Sequence, residues 1–378
     1  MRGHRADKVI AVLTFLLMGL GLIVIYASVP MRANFMNQAY GENYATTYFF
    51  IHQLVSVVIA TAAFFVAYKY PYAKLRQYAK ILVIVALALC AVMAVLAFIG
   101  SSLVSCQLGA CRWFNFRIVS LQPEELLKLS LVLYLAQLLA SRKEAGKLNS
   151  WAEFWRPFTI VCVLSLLFVI VLQKDLGTGV AVVAIILAEL FMSGIELKKF
   201  MMVLLAMLVM GVMALVVSPH RLERMMTFSG GEGADSYHID NAMIAIGTGG
   251  FAGVGVGNSV QATGYLPESI NDSVFAVMGE TFGFVGLMTV LACFTVLLLR
   301  LLSVAERLAD LEQGLVVTGV FAWMMAHVVV NIAAMTGLMP LTGITLPLLS
   351  YGGTSMLFVA AGLGLAVQLS RYTERRKV

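Results

Sequence analysis

Asp272 stands at the mouth of an apolar run, at the end of Leu266-Pro267-Glu268-Ser269-Ile270-Asn271-Asp272, and Glu280 lies two turns further in. Charged groups at such a depth cost about 2.5–3.5 kcal/mol or more, so they tend to be paired or functional. An aspartate held at the edge of hydrocarbon has the chemistry of a general base for a hydroxyl proton. Glu280 is deeper and has no cation near it in sequence. It is expected to be a protonated or hydrogen-bonded structural group.

Other polar groups cluster at the mouths of apolar runs. Arg112-Trp113 precedes Gln122-Pro123-Glu124-Glu125-Leu126-Leu127-Lys128. Proline and acidic residues suit a helix's first turn, which explains Glu124 and Glu125 as dipole partners. Glu125 and Lys128, three apart, also share a helix face and are predicted to pair. In Gln173-Lys174-Asp175-Leu176-Gly177-Thr178, Asp175 either caps the next helix or belongs to a site. Arg221 and Arg224, three apart, could grip phosphate bidentately or be solvated loop charges. Tyr237, His238 and Asn241 follow them, and Leu346-Pro347-Leu348-Leu349-Ser350-Tyr351-Gly352-Gly353-Thr354-Ser355 enters the last apolar run.

The glycine run Gly253, Gly255, Gly257 invites comparison with a nucleotide cradle, but the strand-glycine-helix context of a dinucleotide site is missing. A flexible or re-entrant turn is the reading favoured by glycine's backbone freedom.

These residues need a bilayer around them. Of 378 residues, 61% are hydrophobic and 12% charged, and mean hydropathy is +0.91, whereas soluble domains carry about 25% charged residues. Ten apolar runs of membrane length fall near 9–29, 48–68, 79–100, 123–141, 157–173, 177–197, 199–218, 273–299, 314–336 and 352–370. The expected fold is an all-α polytopic membrane protein over 1–378, one membrane unit with a long extracytoplasmic loop, 219–272, between spans seven and eight. With the N-terminus inside, all but seven of the 26 Lys and Arg residues fall at cytoplasmic positions. The seven are Arg32, Arg112, Arg117, Lys128, Lys174, Arg221 and Arg224. The positive-inside rule therefore places both termini in the cytoplasm, and the candidate chemistry faces the other side, where ATP is absent. Scattered basic residues and a net charge of +6 favour anionic headgroups over nucleic acid. The first run is long enough to span and lacks a clear cleavage site, so it is read as a span rather than a signal peptide.

Taken in order, Arg-Trp, Gln-Pro-x-Glu-Leu-x-Lys-Leu, Gln-x-Asp-Leu-Gly-Thr, Ile-Ala-Ile-Gly-x-Gly-Gly, Leu-Pro-Glu-x-x-x-Asp and Ser-Tyr-Gly-Gly-x-Ser resemble the SEDS family of shape, elongation, division and sporulation proteins, typified by RodA, FtsW and SpoVE. Phe275-Ala276-Val277-Met278-Gly279-Glu280 and Thr345-Leu346-Pro347-Leu348-Leu349-Ser350 are more similar to the FtsW branch. The family usually has proline at Lys174, serine at Glu124 and glutamine at Asn241. Its glycine before Arg-Trp is replaced by a segment bracketed by Cys106 and Cys111.

The resemblance implies a ten-span protein of the bacterial cytoplasmic membrane that polymerises lipid II into glycan strands at the outer face. It implies a class B penicillin-binding protein as partner, beside other divisome or elongasome membrane proteins. Asp272 is then the general base of an inverting transfer with undecaprenyl pyrophosphate leaving. Arg112, Arg221, Arg224 or a divalent cation (Mg or Mn) would supply positive charge to the pyrophosphate. Trp113, Glu125, Lys128, Asp175, Asn241, Glu268, Ser350, Tyr351 and Ser355 are candidate supporting residues. A lipid II flippase and a non-enzymatic division scaffold are the alternatives. A flippase calls for polar groups along a whole path and often for repeated halves. No repeat is visible, and only Glu189 and Glu280 depart from the outward placement of intramembrane charges. Cys90, Cys162 and Cys293 read as packing residues within spans. Cys106 and Cys111, in an outer loop, can form a disulfide or remain free thiols.

Overall fold

The computed structural model describes residues 6–41, 43–107, 110–115, 120–216, 224, 228 and 234–373. Its helices are α1 (Lys8–Tyr40), α2 (Tyr48–Lys69), α3 (Tyr72–Ile99), α4 (Pro123–Glu144), α5 (Trp151–Leu172), α6 (Leu176–Met192), α7 (Leu197–Val216), α8 (Ala234–Thr248), α9 (Val274–Arg307), α10 (Leu311–Met335) and α11 (Gly353–Leu369). All but α8 correspond to the ten expected spans. Eight of them are long and apolar enough to cross a bilayer. The other two are α4, which carries Glu124, Glu125 and Lys128 near its start and Arg142 and Lys143 in its last turn, and α6, apolar but only 17 residues long.

Three features differ from the sequence expectation. Helix α1 runs on to Tyr40, well past residue 29. Helix α9 is 34 residues long and contains a kink at Gly283, φ 65 and ψ −163. The third is a small antiparallel sheet between α3 and α4, made by β1 (Val104–Gln107), β2 (Ala110–Asn115) and β3 (Ser120–Leu121). Ala110 and Phe114 of β2 are buried, as alternation across a half-buried strand requires. Cys106 faces Cys111 in the β1–β2 register, and their sulfurs are bonded.

Local chemistry sets the helix ends. Pro123 opens α4 with Glu124 and Glu125 in its first turn and Arg142 and Lys143 in its last, each complementing the helix dipole. Asp175 and Asp310 cap α6 and α10 by accepting the backbone N–H groups of Thr178 and Gln313.

The core is built on α4, α6 and α10, where Leu131, Leu135, Ile185, Ile186, Leu315 and Trp323 are at most 1% exposed. By contrast α7 packs mainly on α6 and leaves Met202, Leu205, Leu208 and Met213 exposed. In a bilayer such a surface meets acyl chains, which are as apolar as leucine. At one end of the bundle, Asp7 pairs with Arg300 at 3.2 Å and Arg76 with Glu312 at 2.9 Å. The candidate residues gather at the other end.

Candidate functional site

Alternation of the spans brings the α3–α4, α5–α6, α7–α9 and α10–α11 connections to one end. Asp272 lies two residues before α9. The turn ahead of it is closed by Asn271 and Ser273 N–H groups donating to Glu268 O at 3.0 and 3.2 Å, with Glu268 itself at φ 47. The Glu268 carboxylate also accepts from Asn271 Nδ2. Ser273 Oγ donates to Pro267 O at 2.8 Å, so its hydroxyl proton is used. His238 on α8, 2.6 Å from that oxygen, must therefore donate from Nε2.

The Asp272 side chain has a different environment. The residue is half-buried, and Oδ1 is buried without a hydrogen-bond partner among the described residues. Burial first, and then the charge of Glu268, push its carboxyl up to about 7. Hydrogen bonds from its own and the Ser273 backbone N–H, and the charge of Arg224, act in the opposite direction. Arg224 pairs with Asp235 of α8 at 3.2 Å and donates to Leu341 O at 3.2 Å. Burial pushes His238 below the ordinary histidine range, which keeps it neutral. Arg221 lies outside the described residues.

Glu125 and Lys128 form the expected ion pair at 2.9 Å, inside the bundle, with the Lys128 side chain fully buried. Lys128 Nζ also donates to His327 Nε2 at 3.0 Å and lies 5.1 Å from the Trp323 ring centroid. Because His327 Nε2 accepts, its Nδ1 carries the proton and donates to Thr345 O at 3.3 Å. One turn further along α10, Asn331 Nδ2 donates to Asp272 O and to Ile344 O, each at 2.7 Å. Two polar groups one turn apart on α10 thus meet adjacent carbonyls of one loop, His327 from the Glu125–Lys128 pair and Asn331 from the main chain of Asp272. Sequence reasoning passed over His327 and Asn331. Their signal was present as two polar residues four apart on an otherwise apolar helix.

Arg112 serves the α5–α6 turn. It donates to Gln173 O and Lys174 O at 3.4 and 2.9 Å and pairs with Asp175 Oδ2 at 3.4 Å. Asp175 caps α6, as its sequence position suggested, through Oδ1 and Thr178 N at 2.9 Å, and its other oxygen faces Arg112. Lys174 sits at φ 56, a conformation closed to proline, whose ring fixes φ near about −65°. The turn therefore differs locally from one built with proline. Glu124 is fully buried, and neither carboxyl oxygen has a hydrogen-bond partner among the described residues; the same holds for Glu189 of α6.

The remaining candidates hold loops. Ser350 Oγ accepts from Leu346 N at 2.8 Å, and Ser350 O accepts from Gln53 Nε2 at 3.2 Å. Tyr351 N–H donates to Ile270 O at 2.8 Å, which ties the entry of α11 to the Asp272 loop. Burial raises the Tyr351 phenol to about 12. Asn241 Nδ2 returns to Tyr237 O within its own helix. Trp113 is half-buried opposite Ser105 on β1, and Ser355 is half-buried in the first turn of α11.

The glycine run folds back against the kink of α9. Val254 and Gly255 N–H groups donate to Glu280 O and Thr281 O at 2.9 and 3.1 Å, and Phe284 N–H donates to Gly250 O at 2.8 Å. A Cβ at Gly253 or Gly283 would collide with backbone of the other segment. The Glu280 carboxylate accepts from Ser259 Oγ at 2.5 Å and Val260 N at 2.9 Å. It is a structural group that holds the loop. Among the described residues no three His, Cys, Asp or Glu side chains converge as metal ligands.

The fold defines a polytopic helical membrane protein, with a half-buried carboxylate, Asp272, at one end of the bundle. Residues 7–375 match the Cell cycle protein family of FtsW, RodA and SpoVE, and the chain belongs to that family. Stage V sporulation protein E of Bacillus subtilis (strain 168) is 31% identical over 376 residues, covering 97% of each chain. A Coxiella burnetii protein named Probable peptidoglycan glycosyltransferase FtsW is 30% identical over 374 residues, again covering 97% of each. The fold is similar, with TM-score 0.73 and 24% identity over 97% of this chain and 98% of the other, to a chain solved in work on the structural coordination of polymerization and crosslinking by a peptidoglycan synthase complex.

Proposed function

We propose that this protein is a peptidoglycan glycosyltransferase that joins lipid II units into glycan strands. It works at the outer face of the bacterial cytoplasmic membrane, with both termini in the cytoplasm. The observation that carries this reading is Asp272, a half-buried carboxylate near pH 7 in basicity, with one oxygen not committed to any described protein partner. An acceptor sugar hydroxyl gives its proton to Asp272 as its oxygen bonds to the donor's anomeric carbon. The bond from that carbon to the pyrophosphate oxygen breaks with inversion, and undecaprenyl pyrophosphate leaves with the electron pair. Arg224, whose charge acts on Asp272, Arg112, Arg221 or a divalent cation would supply positive charge to the leaving group.

The similarity to a chain from a peptidoglycan synthase complex supports a class B penicillin-binding protein as partner, cross-linking the strands. Names among the relatives support a division or sporulation setting. Purified protein in detergent or vesicles with lipid II tests the proposal. Polymer that disappears in Asp272→Ala is the expected result. Transbilayer movement of lipid II without polymer would establish the flippase instead.

A further inference from the structure

We infer that Asn331 is a positioning residue for Asp272, fixing its main chain to the loop before α11 and joining it, through α10, to the buried Lys128–Glu125 pair. This rests on the role proposed for Asp272. Asn331 is 1% exposed, and its amide nitrogen serves one carbonyl from each of two loops, Asp272 O and Ile344 O. A flipped amide would set its oxygen against both carbonyl oxygens, so the orientation is determined by the contacts. The remaining oxygen, Oδ1, is buried with no described partner. The side chain's polar capacity is thus directed to the two loops.

The Asp272 carboxylate is held by main-chain N–H groups, its own and that of Ser273, and so moves with its backbone. Oδ1 lacks a hydrogen bond among the described residues, so the direction of the carboxylate follows the main chain that Asn331 grips. The second fixed point is one helical turn away, where His327 binds Thr345 O, the carbonyl next to Ile344. The other ring nitrogen of His327 accepts from Lys128, which selects the tautomer that donates to Thr345 O. The Lys128–Glu125 pair and Asn331 thus reach two successive carbonyls, Thr345 O and Ile344 O, of the loop tied to Asp272. The charged and titratable groups around Asp272 are Glu268 on its own loop, Arg224 with its partner Asp235, and His238 on Ser273. From α10 come His327 and the neutral Asn331.

Asn331→Leu keeps the size and removes the donors. Polymerisation of lipid II by the full-length protein is expected to lose about 10²-fold in kcat, the effect of about 1 Å of misplacement. KM should change by less than about threefold, since no substrate contact is removed. The acid limb of kcat/KM should move below pH 7, because a released loop lets the carboxylate reach water. Asn331→Gln keeps both donors on a longer arm. It should fold even where Asn331→Leu does not, and it should displace the limb in the same direction. Wild-type kcat with an unmoved limb in the folded variants overturns the inference. If the wild-type protein has no acid limb, or Asp272→Asn retains the activity, the role of Asp272 itself fails.

Discussion

Asp272 should make activity and stability respond to pH in opposite directions. Its carboxyl is raised from 3.8 to about 7 by burial and by the charge of Glu268. A general base works in its ionised form, so activity is lost as pH falls through 7. The ionised fraction is about 9% at pH 6, 50% at pH 7 and 91% at pH 8, so kcat/KM should rise roughly tenfold across that range. Stability runs the other way. A proton bound more tightly in the folded state contributes stability that is fully present below about pH 4 and is lost as pH rises through 7. The shift caps this at about 4 kcal/mol, and partial exposure reduces it. Asp272→Asn, which cannot ionise, should therefore lower activity by about 10²- to 10⁴-fold. It should raise the thermal midpoint at pH 8 relative to the native protein and leave it nearly unchanged at pH 4. Glu268→Gln removes a raising charge and should move the acid limb to lower pH. Initial rates of lipid II polymerisation from pH 5.5 to 8.5 and thermal unfolding at both extremes check these points. A flat profile over pH 6–8, together with an Asp272→Asn midpoint that does not rise at pH 8, would refute the environment assigned to Asp272.

Three further outcomes follow from other parts of the molecule. Neutralising Glu125 or Lys128 alone should destabilise by about 3–5 kcal/mol, because the partner is left buried and charged. Replacing both with apolar residues should recover much of that in thermal unfolding, and a double variant no better than the worse single would show that each acts separately. Gly283→Ala should destabilise by about 1–3 kcal/mol from backbone strain alone, more with the collision at Gly253, and should make the glycine run a site of proteolysis. Reducing the Cys106–Cys111 bond should cost about 2 kcal/mol in the chain-entropy model and loosen the hairpin that carries Arg112. Mass spectrometry after alkylation checks the bond, and labelling of both cysteines in unreduced protein from oxidising conditions would show that it does not form.

Much of the fold was legible because the membrane demands long uniform signals. Twenty apolar residues must be helix in a bilayer, whatever their neighbours, so the spans could be read locally. Glu125 and Lys128 were legible for the same reason, being three apart on one helix. The small sheet was not, because Val104–Gln107 and Ala110–Asn115 are short and acquire meaning only when paired. Asn331 was not, because its partners at 272 and 344 are carbonyl oxygens, which every residue possesses. The double duty of Asp175 needed Arg112, 63 positions earlier in the chain. The kink of α9 was hidden because Gly283 looks like any glycine in an apolar run until the loop at Gly253 is seen against it.

The loop of glycines has a consequence for how the protein is made. Its amides at Val254, Gly255 and Val260 are satisfied by oxygens of Glu280 and Thr281, which the ribosome delivers later. Until α9 has entered the bilayer, this stretch has nothing in hydrocarbon to bond with, and it must wait in water. Its seating is then the closing act of biogenesis at this end of the molecule. The segment bearing Asp272 lies between the loop and the helix, so this end of the bundle is finished only when the chain has folded back on itself. Mutations in the glycines would then appear in cells as slow maturation and quality-control loss before any defect in turnover could be measured.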